Sequence, residues 1–164
     1  MAPVTPYSAA LADRDPVTAM RESAERVRVL TAAWGPENFE RSYAPGKWTA
    51  RQILTHLAQT ELALGTRARM ALSTPGYVAQ PFDPDAWMLR EHSLSGRDGA
   101  DAFVVLNRMN AAFYGALAPA DRQTPLAHPE YGALTVDWII HQSAGHQIHH
   151  LRQLEQIGDL VAGS

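Results

Sequence analysis

The chain has 164 residues, a formal net charge of −3 and no cysteine. This length predicts a single domain, and the lack of cysteine excludes disulfides, thiolate metal ligands and a cysteine nucleophile. The slightly acidic balance, without a basic stripe, argues against a nucleic-acid partner. No apolar run approaches the roughly 18 residues of a membrane span. We therefore expect a cytoplasmic protein without a membrane or nucleic-acid partner.

The first predicted helix begins at Asp15-Pro16, where an N-cap residue precedes a proline at the first helical position. Apolar residues then recur at steps of three and four to about Ala33, before Trp34-Gly35-Pro36 ends the helix. Residues 1–14 are rich in alanine and proline and indicate a flexible leader. We expect one folded domain over residues 15–160.

A capping box marks the start of the second helix, because Thr49 and Gln52 stand in the positions that cap each other reciprocally. The helix is predicted to run to about Leu72. His56 lies at the edge of its apolar face, which is formed by Ala50, Ile53, Leu54, Leu57, Leu64 and Ala68.

A long connection, Ser73 to Ala100, follows and is interrupted by prolines and glycines. Its length suits a crossover or a lid over a site, with a short helix over Asp85–His92. Spacing then predicts a third helix over Ala102–Ala116 and a loop over Pro119–Gly132.

The final helix is predicted to start at Thr135, its N-cap, and to end at Gly158. Four long helices with no convincing strand indicate an all-α four-helix bundle with a long crossover between helices 2 and 3.

Four of the seven histidines fall between His141 and His150, inside the last helix. On a helical wheel His146 and His150 point toward the apolar face, while His141 and His149 point toward water. Residues four apart lie one turn apart, with Cβ atoms about 6 Å from each other. That spacing suits two imidazoles on one cation, and the alternative is a pair of satisfied core histidines.

A metal in a bundle is usually held by side chains from facing helices, so a third ligand should come from another helix. His56 is the leading candidate, whereas His92 and His128 lie in connections where exposure to solvent is the simpler interpretation. Three imidazoles would leave an open position, as in catalytic rather than structural zinc sites. Zinc or nickel is our first expectation, with copper, iron and cobalt still open.

Two segments resemble the DinB/YfiT-like superfamily: GKWTARQILTHLAQTE (Gly46 to Glu61) and YGALTVDWIIHQSAGHQIHHLRQLEQIG (Tyr131 to Gly158). The resemblance implies a four-helix bundle with an up-down-down-up layout, often dimeric, that holds a divalent metal on three histidines. Carried over residue by residue, those ligands are His56, His146 and His150. Some relatives are thiol transferases or isomerases that use bacillithiol or mycothiol.

The functional hypothesis is a metal-dependent transferase or hydrolase acting on a small substrate. Its most specific form is a low-molecular-weight-thiol S-transferase with a metal-activated thiol or water. Because the chain has no cysteine, the thiol would come from a co-substrate. The alternative hypothesis is a non-catalytic metal or small-molecule binding protein of the stress response.

Three further features have two interpretations each. Glu61 is a candidate general base or orienter of a ligand, or else a structural partner of an arginine such as Arg28. Gln153 either packs or hydrogen-bonds near the cluster. Trp138 and Gly145 line the outward face of the last helix, where they would fit a homodimer contact or one partly exposed tryptophan of a monomer.

Overall fold

The computed structural model describes residues 2–163. It confirms a four-helix bundle, to which short elements are added. In chain order the elements are α1 Ser8–Leu11, α2 Pro16–Thr31, α3 Pro36–Phe39, α4 Ala50–Ser73, α5 Pro84–Met88, α6 Gly96–Ala116, α7 Pro119–Arg122, β1 Pro125–His128, β2 Gly132–Thr135 and α8 Val136–Ala162. The long helices are α2, α4, α6 and α8.

Polar N-caps start all four long helices, because the first backbone N–H groups of a helix have no partner within it. Asp15 accepts from the Thr18 N–H at the start of α2, and Thr49 and Gln52 form the predicted capping box of α4. Ser95 and Thr135 cap α6 and α8 in the same manner.

The helices form a ring in which α2 neighbours α6 and α8, and α4 neighbours the same two. The ion pair Arg26–Glu155 and the contact of Leu30 with Gly158 show that α2 and α8 are parallel. Two contacts, Thr55–Gly99 and Gly65–Asn110, show that α4 and α6 are parallel. The contacts Val17–Gly115 and Thr31–Arg97 show that α2 and α6 are antiparallel. The contacts Glu61–Gln147 and His56–His150 show the same for α4 and α8. The layout is therefore up-down-down-up, as expected.

A polar layer divides the apolar core into two clusters. One cluster includes Met20, Tyr114 and Ile140, and the other includes Phe103 and Leu154. Between them lie four buried polar side chains, Glu61, Asn107, Asn110 and Gln147. They bond to one another, which offsets the cost of removing them from water.

Several predicted boundaries of the elements were wrong. The last helix passes through Gly158 to Ala162, because Gly158 does not cap the helix and instead makes room for the neighbouring α2. A Cβ there would lie 2.7 Å from Leu30 Cδ1. The third helix begins at Gly96, six residues earlier than predicted.

Part of the predicted loop over residues 119–132 is a β-hairpin, β1–β2, with Gly132 at a φ of 72° in the turn. The hairpin is tied to the long connection, since the Ala79 N–H donates to the Ala127 carbonyl and the Ala127 N–H to the Tyr77 carbonyl. Short paired segments of this kind lack a clear alternating pattern, so propensity alone does not reveal them.

Residues 2–14 pack against α8, although the sequence led us to expect a flexible leader over residues 1–14, of which residue 1 lies outside the described residues. Leu11 of α1 is buried, and Trp138 Nε1 donates to the Val4 carbonyl at 2.9 Å. Gly145 lies beneath Tyr7. The chain's own N-terminal segment thus covers part of the surface proposed for a dimer contact, and the homodimer stays a prediction.

None of the helices within residues 2–163 is long and apolar enough to cross a membrane.

Replacing Gly145 with alanine should detach the N-terminal segment from α8. A Cβ at this position would meet the Tyr7 backbone oxygen at 2.6 Å, a contact that only movement of residues 6–8 can relieve. We expect Gly145→Ala to speed tryptic cleavage at Arg14 several-fold while helical circular dichroism is retained.

The matched control is Gly115→Ala in α6, where the added methyl would lie 3.2 Å from the end of the flexible Arg21 side chain and at an ordinary contact distance, 3.6 Å, from Val17 Cγ1. Equal cleavage rates at Arg14 in the two variants would show that close approach at Gly145 does not hold the segment.

Candidate metal centre

The antiparallel crossing of α4 and α8 brings His56, His146 and His150 together. Their ring centroids are 4.9, 4.9 and 4.5 Å apart. One nitrogen from each ring lies within 4.8 Å of the others, and the Nε2 atoms of His56 and His146 are 2.9 Å apart. Among residues 2–163 this is the one cluster of at least three metal-ligating side chains. The three predicted side chains therefore converge as the helical wheels indicated.

Burial keeps all three imidazoles neutral at physiological pH. Desolvation lowers the pKa of His56 to about 3 and that of His150 to about 4, and it places the pKa of His146 well below its usual value. Charge repulsion from neighbouring histidines acts in the same direction, whereas the hydrogen bond to Gln153 opposes the lowering of the His150 pKa. A neutral ring nitrogen is the form that binds a cation, so the cluster is suited to a divalent metal.

The ring of His150 is oriented by a hydrogen bond on its outer nitrogen. Its Nδ1 lies 2.7 Å from Gln153 Oε1, so Nδ1 carries the proton and Nε2 is free to bind a cation. Gln153 Nε2 in turn donates to the Tyr43 hydroxyl at 3.3 Å. Of the two interpretations of Gln153, packing or a hydrogen bond near the cluster, the structure shows the hydrogen bond.

Packing orients the other two rings, because His56 Nδ1 and His146 Nδ1 have no hydrogen-bond partner within residues 2–163. Trp48 lies 4.9 Å from the His56 ring, and Phe82 stacks on the same ring at 6.3 Å. Tyr7 meets His146 edge-on at 5.2 Å. Aromatic side chains from three separate segments therefore close around the cluster.

The remaining histidines lie apart from the cluster. His149 is exposed and His141 is half-buried against Asp137, while His92 is exposed in the connection. The expectation that His128 faces solvent was wrong, because the hairpin folds its side chain inward to 5% exposure. Its Nδ1 accepts from the Glu130 N–H at 3.1 Å.

Glu61 belongs to the polar layer of the core. Gln147 Nε2 donates to its Oε1 at 2.5 Å and Asn110 Nδ2 to its Oε2 at 2.8 Å. Burial raises the pKa of this carboxyl to about 7, although both amides and the nearby Arg69 oppose the shift. The suggested link to Arg28 was wrong, since Arg28 pairs with Glu25 on the surface.

A cavity of about 240 Å³ opens directly beside the cluster. His56 and His146 form part of its floor, and Phe82 and Pro84 of the long connection form part of its wall. The connection therefore covers the site, as its length suggested. Several other residues of the wall were not predicted from the sequence, among them Tyr7, Arg67, Tyr131 and Gln142.

Two of the missed residues could have been found on the helical wheels. Arg67 follows His56 by eleven residues, three turns along the same face of α4, and Gln142 precedes His146 by one turn of α8. Tyr7 carries no such signal, because its position depends on how the N-terminal segment folds back over α8.

Curated relatives align with most of the chain. Two proteins of Oceanobacillus iheyensis, each bearing the name "Putative metal-dependent hydrolase", are similar to it. OB0782 is 27% identical over 74% of this chain and 71% of its own length. OB0413 is 22% identical over 73% of this chain and 69% of its own length.

The fold has a counterpart among solved structures, YfiT from Bacillus subtilis, described as "a probable metal-dependent hydrolase with an unusual four-helix bundle topology". The TM-score is 0.80 with 17% identity, over 90% of this chain and 86% of YfiT. At this identity the likeness shows the fold alone. A model of the DinB superfamily matches residues 19–154, and the chain therefore belongs to the DinB superfamily.

Proposed function

We propose that the chain is a metal-dependent enzyme in which His56, His146 and His150 hold one divalent cation. The observation that carries this proposal is the convergence of three buried, neutral imidazoles, two of which, His56 and His146, line a cavity. A divalent metal bound there would lower the pKa of a coordinated thiol or water and polarise a carbonyl. Zinc and nickel both suit an all-imidazole donor set.

The surrounding side chains bind and shield a small substrate. Gln153 holds the orientation of the His150 ring, and Trp48 and Phe82 exclude water from His56. The cavity has room for only a small molecule beside the cluster, so a macromolecular substrate does not suit this site.

Our specific proposal is a low-molecular-weight-thiol S-transferase. The co-substrate's thiol would lose its proton to solvent, and its sulfur would attack an electrophilic carbon and displace the leaving group, which is chloride in monochlorobimane. The chain has no cysteine to supply that nucleophile itself. Hydrolysis is the second candidate, favoured by the names of the relatives. Turnover of monochlorobimane with bacillithiol or mycothiol supports the transferase, and metal-dependent cleavage of ester or amide substrates without thiol supports the hydrolase. Bound metal without either activity would indicate a binding protein.

Glu61 is proposed as a structural residue and not as the general base. It is absent from the cavity wall, and its two oxygens already accept from Asn110 and Gln147. A base must reach the proton that it removes, directly or through one water.

Elemental analysis of the purified protein should find about one divalent metal per chain. His56→Ala should lose it, because removing one of three ligands leaves an incomplete donor set. His149→Ala is the matched control, since this exposed neighbour lies outside the cluster. A metal content in His56→Ala equal to that of the parent would contradict the assignment of ligands.

Glu61→Gln should change how stability depends on pH. The folded protein keeps the Glu61 proton up to a pKa of about 7, whereas the unfolded chain loses it near the ordinary value of 4.5. The group therefore destabilises the fold increasingly as pH rises through this window, by about 3 kcal/mol in total. The parent's free energy of unfolding should fall by that amount relative to the variant.

The measurement is urea denaturation of metal-free protein between pH 4.5 and 7.5. The free energy of unfolding of the variant is subtracted from that of the parent at each pH. The subtraction removes the contribution of the buried histidines, which titrate in both proteins. Glu22→Gln, at an exposed position, controls for loss of a charge. A difference that does not change with pH would show that folding does not raise the pKa of Glu61.

A further inference from the structure

The cavity wall contains a cation that makes no ion-pair contact with an acidic side chain of the described residues. Arg67 is half-buried, and it takes part in none of the ion pairs found among residues 2–163. Its Nη2 donates to the Gln80 carbonyl, which holds the guanidinium in place and leaves other N–H groups available. Burial lowers its pKa, but an arginine remains charged.

A second donor stands beside this guanidinium. His128 also lines the cavity, and its Nδ1 is occupied by the Glu130 N–H. The proton of the neutral ring is therefore on Nε2. Glu130 also lines the cavity and its charge acts on Arg67, but its side chain is exposed and makes no ion-pair contact with Arg67 within the described residues. The end of the cavity near Arg67 and His128 thus offers donors suited to an anion.

The opposite end of the cavity is the histidine cluster. Arg67 lies eleven residues beyond His56 on α4, about 16 Å along the helix axis. Helical side chains lean toward the N-terminus, so the guanidinium reaches back toward the cluster and stands on the order of 10 Å from it. The wall also contains four aromatic side chains, Tyr7, Phe82, Tyr131 and Trp138.

We propose that the cavity binds a small organic acid, with its carboxylate on Arg67 and His128 and its reacting group at the cluster. The apolar body of the molecule lies between the aromatic side chains. Gln142 provides a further contact, because its Oε1 is buried with no partner in the described chain and suits an N–H or O–H donor of the ligand. Only the placement of the reacting group at the cluster rests on the proposed function; the carboxylate site on Arg67 and His128 does not.

The test is calorimetric binding of matched acids and amides to the metal-loaded protein. 3-Phenylpropionate and 3-phenylpropionamide are nearly the same in size and shape, and only the acid carries a negative charge. A carboxylate can also bind a metal, so the Arg67 variants decide whether a preference for the acid comes from Arg67 or from the metal. A charge-assisted hydrogen bond predicts that the parent binds the acid roughly tenfold to a hundredfold more tightly than the amide. Arg67→Gln should abolish the preference, and Arg67→Lys, which keeps the charge, should restore part of it.

Arg108→Gln is the matched control, since Arg108 is exposed on α6 and outside this cavity, and the same charge is lost. It should retain the preference for the acid. Failure of the parent to bind 3-phenylpropionate, equal binding of acid and amide, or an unchanged preference in Arg67→Gln would each overturn the proposal. Circular dichroism of each variant excludes unfolding as the cause of a lost preference.

A second pair of probes separates this inference from the proposed function. 4-(Mercaptomethyl)benzoate and its amide add a thiol that can reach the cluster. If the metal site is correct, both should bind more tightly to the parent than to His56→Ala. A preference for the acid without this gain would support the Arg67 site and contradict the thiol-binding metal site.

Discussion

Burial of three neutral imidazoles at one crossing of two helices is the constraint on which the site depends. Each ring has left water, and a buried polar group is costly unless it finds a partner. Within residues 2–163 only His150 has a hydrogen bond on its outer nitrogen, and the inner nitrogens of the three rings face one another. Neutral imidazoles can share few protons among themselves, so the proposed cation at their centre would be the partner that satisfies all three.

The polar layer provides a second set of contacts, besides the histidine cluster, that fixes the register between α4 and α8. Glu61 and Gln147 meet about a turn away from the contact of His56 with His146. A slip of one turn between the two helices would break both contacts and leave a carboxyl and several amides unpaired in the core. The neighbouring α6 is held at the same level, because Gly65 has no side chain to obstruct Asn110. The polar layer therefore supports the geometry of the histidine cluster as well as the fold.

Local sequence patterns predicted the bundle and the histidine cluster because helix caps and helical faces depend on residues that are close together in the chain. Caps such as Thr49 and Thr135 start helices wherever they stand, and the four-residue spacing of His146 and His150 places both on one face. His56 was found because it borders an apolar face, as His146 does. These rules name the faces of single helices, and the resemblance to a family supplied the layout that pairs them.

The failures lie where a residue's role depends on a distant segment. A glycine after an apolar pattern is typical of a helix end. Gly158 instead lies within a continuous helix, because the neighbouring α2 leaves no space for a side chain at this position. His128 resembles a loop residue until the hairpin pairs with residues 77–79 and turns it inward. Glu61 finds its partners on α6 and α8, which no spacing within α4 could indicate.

The division between local and distant determinants also separates the proposed metal site from the choice of substrate. His56, His146 and His150 all lie within residues 19–154, which match the superfamily, whereas Tyr7 lies outside them. The cavity wall is assembled from the N-terminal segment, the long connection and the hairpin around a floor provided by the bundle. Connecting segments tolerate change better than packed helices do. We therefore expect relatives that share the three histidines to differ in the substrates that these walls admit.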